Sequence, residues 1–136
     1  MNPGDDVIRE LIESARTIAV VGLSPKPERP SHDVARYMQR HGYRIIPVNP
    51  GHGELLGERR HPSLREVPEP VDLVDVFRRP EQVPAVVEDA IALGAAALWL
   101  QLGVVHEAAA QRAREAGMTV VMDRCLKIEH ARLRGG

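Results

Sequence analysis

The chain has 136 residues, 43% of them hydrophobic, and a net charge of −1 from 18 basic and 19 acidic side chains. That is the length of a single domain of about 100–150 residues, with enough apolar content for a packed core, which excludes wholesale disorder and a second folded unit. The neutral balance supplies no field to gather a nucleic acid or an anionic membrane. With only Tyr37, Tyr43, Phe77 and Trp99 as aromatic residues, there is no platform for stacked bases either. A lone Cys125 has no partner for an intramolecular disulfide, which fits a reducing cytoplasm. The opening stretch MNPGDDVIREL carries two acids before its first apolar residues and no long apolar run. It is expected to be neither a signal peptide nor a membrane anchor.

In chain order, an opening helix is expected over about 6–16. Apolar runs then read as strands at 17–22 (TIAVVG), 43–48 (YRIIPV), 71–77 (VDLVDVF), 95–100 (AAALWL) and 118–122 (MTVVM), the Ala-rich fourth being the weakest. Several are continuous rather than alternating, as in strands covered on both faces. Ser31 is a candidate N-cap for a helix through His41, with Val34, Tyr37 and Met38 on one face and Gly42 at its end. A second helix is expected over 84–93, after a turn at 80–83 and before Gly94. Helices over 107–116 and about 124–133 complete the pattern. Residues 49–70, rich in Gly, Pro and charge, form one long irregular stretch, of the kind that often carries function. Helices between successive strands imply right-handed crossovers and a parallel sheet. The expected architecture is a single three-layer α/β/α Rossmann-like domain over 1–136, with a five-stranded parallel sheet in the order 3-2-1-4-5.

Ligands of such sheets bind beyond the carboxyl ends of the strands. The first strand ends at Gly22, followed by Leu23, Ser24, Pro25, Lys26, Pro27, Glu28, Arg29 and Pro30 before a helix opens at Ser31. A strand, a short loop and a helix N-terminus together suit a phosphate, because unpaired N–H groups and the positive end of the helix dipole face the loop. Val48, Asn49 and Pro50 end the second strand, Phe77, Arg78 and Arg79 the third, and Gln101 the fourth. Lys26, Arg29, Arg78 and Arg79 would form a cationic rim on one edge, suited to a polyphosphate-bearing nucleotide. The glycine pattern G-x-G-x-x-G is absent, Ser24 and Pro27 standing where later glycines would fall. Asn49 replaces the acid that would hold a ribose 2′-hydroxyl. Both departures weigh against an ordinary dinucleotide site.

The segments VVGLSPKPERPSHDVARYM (20–38), GYRIIPVNP (42–50), VDLVDVFRRPEQVP (71–84), LWLQLGVVHEAAAQRAREAG (98–117) and VVMDRCLKIEH (120–130) carry a resemblance to a known family. From Ile18 to Leu133 the chain resembles the small stand-alone CoA-binding proteins of bacteria and archaea. These are similar in fold to the CoA-binding domain of the succinyl-CoA synthetase α subunit. The resemblance implies bound coenzyme A or an acyl-CoA, its 3′-phospho-ADP part along the carboxyl edge of the sheet. Gly22, Leu23, Ser24 and Lys26 would cradle phosphate, with Ser31 at the helix N-terminus. Val48, Asn49 and Pro50 would border the adenosine, Phe77, Arg78 and Arg79 would close the other side, and Gln101 would lie near the mouth of the cleft. The synthetase's catalytic histidine belongs to a domain outside the matched segments, so its catalysis is not implied.

No other constellation points to chemistry. The six histidines, at 32, 41, 52, 61, 106 and 130, lack metal-ligand spacing, and no second cysteine completes a zinc site. His32 could touch a phosphate. Cys125 reads most simply as a small buried hydrophobe under the last helix, and Trp99 as core. The expectation is a cytoplasmic, non-catalytic protein with a small-molecule ligand and neither nucleic acid nor membrane as partner. An NAD(P)-binding redox protein and a module that needs a partner chain are the alternatives.

Overall fold

The computed structural model describes residues 2–134. Helix α1 (Asp5–Ser14) precedes strand β1 (Thr17–Val21), helix α2 (Pro30–Arg40) and strand β2 (Arg44–Val48). A small hairpin, β3 (Glu54–Leu55) and β4 (Glu58–Arg59), and a 3₁₀ turn at Leu64–Glu66 lead to β5 (Leu73–Val76). Then come α3 (Val83–Leu93), β6 (Ala97–Leu100), α4 (Glu107–Glu115), β7 (Thr119–Met122) and α5 (Leu126–Arg134). The region expected to be irregular thus contains the hairpin and the turn, and Val48 bridges to His61 beyond the edge of β2. Among the described residues no helix is long and apolar enough to cross a membrane.

The five main strands are all parallel, as expected for a Rossmann-like α/β fold. Their order is β2-β1-β5-β6-β7, which in the sequence of main strands is 2-1-3-4-5 and corrects the expected 3-2-1-4-5. The cause lies in Pro47. A proline cannot donate to a ladder and belongs on an edge strand, whereas the expected order buries the second strand between two neighbours. In the structure β2 is the edge of the main sheet, pairing with β1 alone. On its open side the Pro47 carbonyl accepts from His61 N at 3.0 Å, and Asn49 N donates to the His61 carbonyl at 2.9 Å.

Alternate residues of each strand enter one of two cores. Ala19, Val21, Val74, Val76, Leu98 and Leu100 pack under α3 and α4. Ile18, Val20, Leu73, Trp99 and Val121 pack under α1, α2 and α5. Every residue of β5 and β6 is buried, which explains their unbroken apolar character in all but one position, Asp75. Helix α4 meets the sheet through Ala109, Ala110 and Ala113, whose small side chains let its backbone come close.

Helix ends differ from expectation at the two places that shape the ligand edge. Arg29, not Ser31, is the N-cap of α2, with Pro30 at its first turn, a position where the missing N–H costs nothing. Ser31 is thereby released for another role. The last helix begins only at Leu126, because Asp123 adopts a left-handed backbone (φ 61°) that turns the chain first. Its Oδ1 accepts from Gly103 N at 2.8 Å, tying that turn to the loop after β6.

Candidate functional site

The direction of winding reverses between β1 and β5. Strand β2 lies on one side of β1, and β5, β6 and β7 follow on the other. The crevice at such a reversal, beyond the carboxyl ends of the two strands, is where open α/β sheets hold ligands. Here those ends are Gly22 and Phe77. Gly22 has φ +89°, and a Cβ placed on it would stand 2.3 Å from the Phe77 carbonyl oxygen. Only glycine permits the two strand ends to approach this closely.

The loop after Gly22 is fastened by the first turn of α2. Ser31 Oγ accepts from Ser24 N at 2.9 Å. His32 Nδ1 lies 2.9 Å from the Ser24 carbonyl, an acceptor only, so Nδ1 carries the proton. Both side chains are buried, which makes this a rigid double anchor. Gly22 N donates to the Val48 carbonyl, and Lys26 N to Ser24 Oγ at 3.1 Å. The amides of Gly22, Ser24 and Lys26 are therefore all engaged within the chain. Helix geometry leaves the N–H groups of Ser31 and His32, in the first turn of α2, without an intrahelical carbonyl.

Leu23 and Val48 are core residues, 0% and 2% exposed, so neither presents a side chain to a ligand. Asn49 acts as a clamp: its Nδ2 donates to the Leu23 carbonyl at 2.7 Å. Its Oδ1 accepts from Gly51 N at 2.7 Å and Arg60 Nη1 at 3.2 Å. Its amide joins the two loops and leaves little for a ribose.

Two concavities flank this edge. A cleft of about 570 Å³ is lined by Phe77, Arg78, Arg79 and Gln101, facing Pro30 and Val34 of α2, with Leu102, Val104 and Cys125 closing it. A second, of about 440 Å³, lies under the hairpin, lined by Pro50, His52, Arg59 and Arg60 among others. The structure thus brings Arg78, Arg79, Phe77 and Gln101 together and puts Pro50 in the neighbouring hollow. Lys26 and Arg29 are exposed on the first loop and line neither concavity, so of the four cations expected on the rim Arg78 and Arg79 are the two in the cleft lining. Cys125 is half-buried in the wall of this cleft ahead of α5, not sealed under that helix.

Sequence reading passed over Asp75. It occupies the centre of β5, 0% exposed, between Val20 and Trp99 on the adjacent strands. Gln101 Nε2 donates to its Oδ1 at 2.7 Å, while Oδ2 has no partner. Burial pushes its carboxyl up to about 7, against the opposing pull of the Gln101 hydrogen bond. An acid in the middle of an otherwise apolar strand, VDLVDVF, was the available signal.

A parallel α/β sheet with a glycine-gated crevice at its winding reversal defines a domain of the Rossmann-like class, here with a pair of arginines beside the crevice. The comparisons are more specific. A family model described as "CoA binding domain" matches residues 16–131, and the chain belongs to that family. It is 48% identical over 130 residues to Uncharacterized protein YneT of Bacillus subtilis (strain 168), covering 96% of each chain. A structure of a hypothetical protein from Pyrococcus horikoshii OT3 superposes with a TM-score of 0.94 and 41% identity, over 98% of this chain and 94% of that one. A segment of an ADP-forming acetate–CoA ligase of Archaeoglobus fulgidus is 30% identical over 74 residues, 54% of this chain and 11% of the ligase.

Proposed function

We propose that the protein binds coenzyme A or an acyl-CoA in the cytoplasm, without catalysis of its own. The diphosphate would cross the crevice between Gly22 and Phe77, near the first turn of α2. The observation that carries this reading is the cleft itself. It sets Arg78 and Arg79 at the carboxyl end of β5 against the opening turn of α2, in a member of the CoA-binding family. Arginine's planar fork suits bidentate contact with phosphate oxygens. The remaining lining is mostly apolar carbon, suited to an aliphatic arm. Arg59 and Arg60 in the adjacent hollow, which Glu54 also lines, carry positive charge toward the expected position of the adenosine.

Calorimetric titration with CoA, beside NAD, NADP and ADP, tests the reading. Saturable binding of CoA ahead of the dinucleotides is expected; equal or tighter NAD(P) binding would refute the choice of ligand. Arg78→Ala should weaken CoA by about 1.5–3 kcal/mol, roughly ten- to a hundredfold, if it makes a charge-assisted phosphate contact. Unchanged affinity would remove Arg78 from the site. Dephospho-CoA should bind more weakly than CoA, since it lacks one of the charges the arginines would meet.

The likeness to part of a longer CoA ligase favours a second reading, a module that works with a partner chain. Monomeric behaviour at all concentrations, with undiminished CoA binding, would count against it.

A further inference from the structure

Gln101 is 4% exposed, yet it forms part of the cleft wall just past the end of β6. Once ionised, as at pH 8, a carboxylate only accepts hydrogen bonds, so the buried Asp75 behind Gln101 then dictates which end of the amide faces inward. Nε2 turns to Asp75 Oδ1 at 2.7 Å. The planar amide then turns Oε1 away from Asp75. Among the described residues Oε1 takes no hydrogen bond from the chain, and it is not sealed from solvent as Asp75 Oδ2 is. The only other hydrogen-bonding side chains in the cleft lining are cations, Arg78 and Arg79, and the weakly bonding Cys125 thiol.

We propose that the Asp75–Gln101 pair is the cleft's reader of an N–H group: Asp75 orients Gln101 so that Oε1 accepts a hydrogen bond from an amide or amino N–H of the bound molecule. This rests on the coenzyme A reading, and it assigns the two ends of the cleft to different chemistry. Phosphates belong with Arg78 and Arg79. They are disfavoured at Gln101, where a carbonyl oxygen backed by a carboxylate repels an anion. Coenzyme A offers two kinds of N–H donor, the adenine amino group and the secondary amides of the pantetheine arm. In this arrangement Asp75 touches no ligand and acts as a positioning residue, and Gln101 makes the contact.

The test measures affinity for CoA and for adenosine 3′,5′-bisphosphate, which keeps the adenine but lacks the pantetheine arm, at pH 8. Gln101→Met keeps the side-chain length and removes the acceptor; it should weaken CoA binding about tenfold. Loss for CoA alone identifies a pantetheine amide as the donor, and equal loss for both ligands identifies the adenine amino group; either supports the inference. Because Gln101→Met leaves Asp75 unpartnered and could unfold the chain, Asp75→Asn is the second variant. Asparagine can face Gln101 with either end of its amide, so the orientation is no longer imposed. CoA affinity should then fall about two- to fivefold while the melting temperature at pH 8 rises. A merely structural Asp75 would not move affinity and stability in opposite directions. Parental affinity in both variants overturns the inference and leaves the coenzyme A reading standing. Failure of the parent protein to bind either ligand overturns both.

Discussion

Gly22→Ala is expected to cost about 3 kcal/mol of stability and to abolish CoA binding. Two effects add at this position. A left-handed backbone at φ +89° disfavours any side chain by about 1 kcal/mol. The new methyl would also stand 2.3 Å from the Phe77 carbonyl oxygen, a backbone atom that cannot rotate away. Relief requires β1 and β5 to separate at their carboxyl ends, which disturbs the fully buried Leu23 and Val76 beside them. That separation would also displace Arg78 from the crevice, so affinity should fall further than stability alone explains. Urea denaturation and calorimetric titration measure the two effects. A parental urea midpoint would show that the loop can re-form around an alanine, and this account of Gly22 would be wrong.

Asp75→Asn is expected to stabilise the protein increasingly as pH rises. The folded-state carboxyl titrates at about 7 against an ordinary value of 3.8, because burial disfavours its charged form. Between those values the folded protein holds a proton that the unfolded chain has released. A raised acid therefore imposes no penalty below the unfolded value, and stability is lost as pH rises through the folded one. This is opposite in sign to a carboxylate held low by an ion pair, such as Glu129 beside Arg132 and Arg124. Asparagine keeps an oxygen to accept from Gln101 and carries no charge. From pH 5 to pH 8 the variant should gain about 2–3 kcal/mol on the parent, so the melting-temperature gap should open by roughly 5–10 °C. Scanning calorimetry at the two pH values decides it. A gap of equal size at both would place the titration of Asp75 outside this window.

Much of the fold was legible because its signals are local. The runs TIAVVG, VDLVDVF and ALWL read as strands from their apolar continuity, and Gly42 and Gly94 mark helix ends with left-handed backbones where they were expected. The ligand edge followed from the same reading, since in a parallel sheet every residue just past a strand faces one side. Ser31 is not the N-cap expected of it, because an N-cap serine and a serine two residues further on, inside the first turn, look alike in sequence. Only the neighbouring Pro30 and the distant Ser24 amide distinguish them.

The sequence by itself determined the α/β class, the parallel sheet, the sheet edge proposed for the ligand and the family to which the chain belongs. Each depends on periodicity or on residues adjacent in the chain. Tertiary structure decided which strands are neighbours, since apart from Pro47 two doubly wound orders satisfy the same local pattern. It also decided which amides are free, because Ser24 N is occupied by a hydroxyl seven residues away. The meeting of Asp75 with Gln101, 26 residues apart, likewise exists only once β5 and β6 pair. Burial and hydrogen-bond partnership are properties of assembled layers, and a pattern of side chains along one chain does not contain them.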